Sequence, residues 1–182
     1  MLTEIWDFVK NPIYKEDDTF GFKYRISIFL RLLGYSVAIS LVLSVLIAML
    51  EATFQIKPGE HALSEMLDEH GSFYFFLFLV VVAPPLEELI FRGPLIWFKN
   101  SGAFKYVFYL LSLSFGIVHL GNFESFTWFN LLLILPQTCV GLIFAFLRVR
   151  FDLMWAVALH ACYNLVLAGP ILLMKILNIP LE

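Results

Sequence analysis

Glu87, Glu88 and Arg92, then His119, then His160 with Asn164 one helical turn later, are ionisable or strongly polar side chains set inside apolar runs. In hydrocarbon a charged group is costly, so such residues are rare and mark relays, pathways or reaction sites. Glu88 and Arg92 are four residues apart and share a helix face, the spacing of a side-chain ion pair. Glu87 points about 100° away from Glu88. One carboxylate can therefore be neutralised by Arg92 while its neighbour faces a wet cavity as a general base. The alternative is a purely structural charge cluster holding packed helices. His119 closes an apolar run, where a lone histidine is more often an interfacial or hydrogen-bonded residue than a functional one. His160 and Asn164 share a face through the i, i+4 relation, with Ala161 and Cys162 beside them small enough for close helix contact. Their alternative is an interhelical hydrogen bond.

The elements that must position these groups are membrane spans. Of the 182 residues, 60% are hydrophobic and 15% charged, against about 25% charged in a soluble domain. The runs Ile26–Leu50, Phe73–Phe98, Phe104–Leu120, Thr127–Leu147 and Leu153–Leu177 reach or approach the roughly 20 residues a spanning helix needs. The expected fold is an all-α polytopic transmembrane bundle of about five spans. Three parts are expected: a cytoplasmic amphipathic segment over 1–25, a first span with its extracytoplasmic loop over 26–70, and a four-helix core over 71–182. In the first, Leu2, Ile5, Trp6 and Val9 recur at helical spacing, fitting a helix on the membrane surface or packed on the protein. Cleavage of a signal peptide is not expected, because the first 25 residues are polar and include Asp17 and Asp18.

Charge sets the expected orientation. Lys10, Lys15, Lys23, Arg25 and Arg31 precede or enter the first span, while the following loop carries Lys57 against Glu51, Glu60, Glu65, Asp68 and Glu69. Lys99, Lys105, Arg148 and Arg150 fall at later turns on the first side and Glu124 on the other. This asymmetry puts the N-terminus in the cytoplasm. A net charge of −3 gives no reason to expect nucleic acid as a partner. Cys139 and Cys162 lie within spans and form no paired-spacing motif.

Pro84-Pro85 interrupts the second run immediately before the glutamates, where a kink or a helix restart is expected. After a restart, the glutamates would lie in an N-terminal turn, whose exposed amides and dipole favour negative charge. Glu87 and His119 are 32 residues apart, with the turn signal Asn100-Ser101-Gly102 near their midpoint. Two antiparallel helices folded there bring them to similar depth. Gly34-x-x-x-Ala38 and Gly141-x-x-x-Ala145 offer close helix contacts.

Taken in order, Glu87-Glu88-x-x-x-Arg92, Phe115-x-x-x-His119 and His160-x-x-x-Asn164 resemble the CPBP family of intramembrane proteases. This family comprises the CAAX prenyl endopeptidases and their bacteriocin-processing, or Abi, relatives. The resemblance spans about residues 70–178. It implies peptide-bond hydrolysis within the bilayer of a bacterial inner (plasma) membrane, on a peptide or membrane-protein substrate that can be lipidated. It further implies that Glu87 and His119 activate a water, that His160 and Asn164 stabilise the oxyanion, and that Glu88 and Arg92 support them. An older reading of the family is a zinc protease, with Glu87, His119 and His160 as ligands; the compact HExxH element is absent. No residue specifies a prenyl group. The competing classes are a catalytically silent binding or immunity protein of the same fold and an ion-coupled transporter. A broken helix bearing carboxylates suits the transporter, but no inverted repeat accompanies it.

Overall fold

The computed structural model describes residues 1–16, 21–56, 72–123 and 125–177. Most of the acidic loop after the first span, Asp17, Asp18 and Glu124 lie outside them. The described chain is built of helices, with no strand among the described residues. In order it forms α1 (Leu2–Lys10), α2 (Phe22–Phe54) and α3 (Ser72–Leu77), then a π-helical turn (Phe78–Val82) leading into α4 (Ala83–Phe91). A 3-10 helix (Gly93–Phe98) follows, then α5 (Phe104–Val118), a second 3-10 turn (His119–Asn122), α6 (Asn130–Leu133), α7 (Leu135–Arg150) and α8 (Leu153–Ile176). Five stretches are long and apolar enough to cross a membrane: Phe22–Phe54, Phe73–Phe98, Phe104–Asn122, Asn130–Arg150 and Leu153–Pro170. The first exceeds the run expected at both ends, whereas Thr127–Phe129 precede the fourth rather than opening it. The protein is an integral membrane protein.

α7 is the central helix, buried over most of its length and packed against α2, α5 and α8. Small residues let its neighbours in. A Cβ on Gly141 would sit 2.8 Å from Phe115 and 3.0 Å from Arg92, and one on Gly116 of α5 would overlap the Thr138 side chain. Gly34, by contrast, has nothing within 4 Å, so only the second of the two small-residue patterns marks a tight contact. Leu, Ile and Val side chains such as Leu41, Val45, Leu89, Ile90, Leu113 and Leu173 form the exposed outer surface, as expected where lipid replaces water.

The double proline does not break the helix cleanly. A π turn inserts before it, and α4 starts with Pro84 and Pro85 in its first turn. In π geometry the carbonyl of residue i receives the amide of i+5; Ala83 donates to the Phe78 carbonyl, but Pro84 has no hydrogen for Leu79. Asn164 of α8 fills that gap, its Nδ2 donating to the Leu79 carbonyl at 2.9 Å. The glutamates thus lie one turn further into a continuing helix than a clean restart would place them.

α1 packs on the protein rather than only on the membrane. Ile5 is buried, and Phe8 wedges edge-on between Phe108 and Phe146, at 5.2 Å from each ring centroid. The Tyr109 hydroxyl donates to the Val9 carbonyl at 2.5 Å, and Arg150 pairs with Glu4. Just beyond α1, Tyr14 donates to Glu16 and receives a hydrogen bond from Arg148. Burial, reinforced by that bond to Glu16, pushes the Tyr14 phenol above its ordinary pKa. Leu2 and Trp6 stay exposed on the far face, where a tryptophan suits the headgroup layer.

Candidate functional site

α4 supplies three of the charged groups because its period turns Glu88 and Arg92 inward and leaves Glu87 at the edge of that face. Glu88 and Arg92 are both fully buried, 3.1 Å apart between Oε1 and Nη1. The guanidinium is held again by the Gly141 carbonyl, 3.0 Å from Nη2, and stacks 3.9 Å over the Phe115 ring. These contacts explain why Gly141 has no room for a side chain. A buried charge needs such partners, since each one missing carries the full desolvation cost.

Glu88 reaches a second group as well. Its Oε1 also accepts from Nδ1 of His160 at 3.0 Å, so the proposed supporting pair is a chain Arg92–Glu88–His160 running from α4 into α8. A proton on Nδ1 is what the carboxylate demands, and that leaves Nε2 as the free end of the ring. Nε2 stands 3.8 Å from Oε2 of Glu87. Phe115 and Phe144 flank the imidazole, with ring centroids 5.7 and 4.8 Å away, and it is almost entirely buried.

His119 is oriented in the same manner by a different device. It caps α5, and its Nδ1 donates to the Phe115 carbonyl one turn back at 2.7 Å. Again Nε2 is left as an acceptor. Two imidazoles therefore arrive with the δ nitrogen anchored and the ε nitrogen available.

A cavity of about 390 Å³ brings these groups together, with Glu87, His119, His160 and Asn164 all on its wall. Glu88 and Arg92 lie behind the wall. Oε2 of Glu87 is buried and has no hydrogen-bond partner in the protein, so an acceptor is held out to whatever fills the space. Asn164 spends one amide hydrogen on Leu79 and has a second.

Gln137, Asn122 and Tyr163 also line the cavity and were not singled out from the sequence. Gln137 offers a buried Oε1 without a partner; a glutamine beside Pro136 in an otherwise apolar run was the available signal. Tyr163 shares a 2.7 Å hydrogen bond with Ser40, tying α8 to α2 beside the site.

Glu87, His119 and His160 do not make the compact ligand group that a zinc ion requires. Among the described residues no three His, Cys, Asp or Glu side chains gather in that way. Each histidine is held through Nδ1, which leaves its Nε2 available, and no step is routed through a metal below.

Residues 69–166, just over half of the chain, match the Rce1-like family, described as type II CAAX prenyl endopeptidase Rce1-like. No curated protein and no solved structure matches the chain.

Proposed function

The chain belongs to the Rce1-like family of CAAX-type intramembrane proteases, and from that premise we propose that it hydrolyses a peptide bond inside the bilayer with a water activated by Glu87 and His119. The observation that carries this reading is the pair of neighbouring carboxylates with opposite environments. Glu88 is bound on Oε1 by Arg92 and His160, whereas Glu87 holds an unpartnered oxygen at the cavity wall.

In the proposed reaction a water lies between the Glu87 carboxylate and Nε2 of His119, both of which can accept its protons. The water oxygen bonds to the scissile carbonyl carbon as its proton passes to Glu87, and the carbonyl oxygen becomes an oxyanion. When the carbon–nitrogen bond breaks, that proton goes to the leaving amine, giving a carboxyl and an amine product. General-base assistance of this kind is worth about 10²–10⁴-fold. The second Nδ2 hydrogen of Asn164 is a donor for the oxyanion. His160 donates from Nε2 only when both ring nitrogens carry protons. In a water-poor cavity, each such donor is worth about 10²–10³ in kcat. Glu88 and Arg92 position His160 and do not touch substrate.

The substrate in this reading is a peptide or a membrane-protein segment, and the protein sits in a plasma membrane with its N-terminus in the cytoplasm. The test uses detergent-purified protein and an internally quenched apolar peptide, with and without a chelator. Chelator-resistant cleavage that is lost in both Glu87→Gln and His119→Ala is the expected result. Cleavage abolished by chelation and restored by zinc, or retained in Glu87→Gln, overturns the mechanism.

A further inference from the structure

We propose that the cavity is entered from the extracytoplasmic side, so that the substrate is a peptide segment on that side of the membrane rather than one presented from the cytoplasm. The proposal rests on the protease reading above and specifies the substrate it takes.

The cavity is placed unevenly along the bundle. Its deepest wall is Phe144 and His160, and His160 lies seven residues after Leu153, where α8 begins, a rise of about 10 Å. From there the lining runs toward one end only. It includes His119 and Asn122, with Asn122 the last residue of its span, and Leu167 and Ala168, two turns further along α8 than His160.

Toward the other end the bundle is filled. Phe104, Phe108, Phe146 and Leu147 are buried there, and Phe8 of α1 plugs the gap between two of those rings. α1 lies across this end, held by Tyr109 and Arg150. A peptide arriving from this side would have to displace a packed core.

The two ends differ in charge as they differ in packing. The filled end carries Lys10, Lys15, Lys23, Arg25, Lys99, Lys105, Arg148 and Arg150, whereas no Lys or Arg occurs between Lys105 and Arg148, the stretch that includes the cavity mouth. Lys175 lies in the last turn of α8; in the sequence, the stretch after the first span carries Lys57 against Glu51, Glu60, Glu65, Asp68 and Glu69, and the stretch after the third carries Glu124 and no Lys or Arg. Basic residues near span ends stay in the cytoplasm. The filled end is the cytoplasmic one, and the mouth faces outward.

Sidedness is read with a membrane-impermeant maleimide on the full chain after Cys139→Ala and Cys162→Ala. Ala168→Cys reports the cavity, and Lys105→Cys, exposed at the filled end, reports the opposite side. In intact cells Ala168→Cys is expected to label and Lys105→Cys to label only after permeabilisation. Labelling of Ala168→Cys only from the cytoplasmic face, or from neither face, overturns the proposal. In oriented proteoliposomes the quenched peptide is expected to be cleaved only by molecules whose Lys105 end faces the lumen. Loss of all cleavage, in detergent too, sinks the protease reading while the labelling still decides the side of entry; cleavage from the Lys105 face alone sinks the sidedness and leaves the protease.

Discussion

The two halves of the bundle handle the same difficulty in opposite ways. In the filled half, aromatic rings and aliphatic chains close the interior, and the polar groups at its rim, Tyr14, Glu4, Arg148 and Arg150, meet one another. In the open half, four helices leave about 390 Å³ between them, and the wall holds polar atoms without partners on Glu87 and Gln137. The unpartnered acceptors that face open space, Glu87 Oε2 and Gln137 Oε1, therefore belong to this half. The difference teaches that rigidity is supplied by the half away from the proposed reaction site, and that the layer between the halves, Arg92 with Glu88, is where the two are joined. Mutations on the two sides of that layer should separate stability from activity, and a variant within it should not.

The largest effect is expected from Arg92→Ala. It leaves Glu88 buried beside His160 without its cation and empties the space between Phe115 and Gly141. Breaking a buried pair from one side costs about 3–5 kcal/mol, enough to bring down both thermal stability in detergent and turnover. Glu88→Gln is the milder companion. It keeps the volume and one acceptor for His160 but removes the charge. Turnover lost with an unchanged melting temperature in both variants would contradict a joining role and make this layer part of the chemistry.

In the filled half, Phe8→Ala is expected to cost about 2 kcal/mol, below the usual cost of emptying a core phenylalanine, because Phe8 is only half-buried. Melting temperature should fall while kcat of the molecules still folded stays at the wild-type value. A proportionate loss of kcat would show that α1 reaches the site, and the contrast between the halves would fail.

How much of this was visible in the sequence follows from what each feature depends on. The spans, the turn at Asn100-Ser101-Gly102 and the meeting of Glu87 with His119 on one cavity depend on composition, length and antiparallel folding, all of which are properties of single helices or neighbouring pairs. The ion pair of Glu88 with Arg92 is local to one helix face and was legible for the same reason. The contact from Glu88 to His160 depends on how two helices 72 residues apart are rotated about their axes, which spacing within either helix does not determine. The π turn was hidden because proline reports a missing donor without saying how the helix adjusts. Gly34 and Gly141 head the same kind of motif, and only their neighbours tell them apart.

The smallest thermal effect is expected at Asn164, where the two halves of its amide answer different needs. One Nδ2 hydrogen satisfies the Leu79 carbonyl that Pro84 leaves open. Interhelical hydrogen bonds of this kind average about 0.6 kcal/mol in a membrane, so Asn164→Ala should lower the melting temperature only slightly. The other hydrogen is the proposed oxyanion donor, and its loss should lower kcat by about 10²–10³-fold with little change in KM. Asn164→Asp controls for lost volume, because a carboxylate keeps the size of the side chain but offers neither hydrogen. If Asn164 serves only the helix bend, Ala and Asp will reduce kcat no more than they reduce the folded fraction. If it also serves the reaction, Ala will lose turnover far beyond its small thermal cost and Asp beyond its loss of folded protein, and the open half will be the place where a modest structural bond and a catalytic one share a single amide.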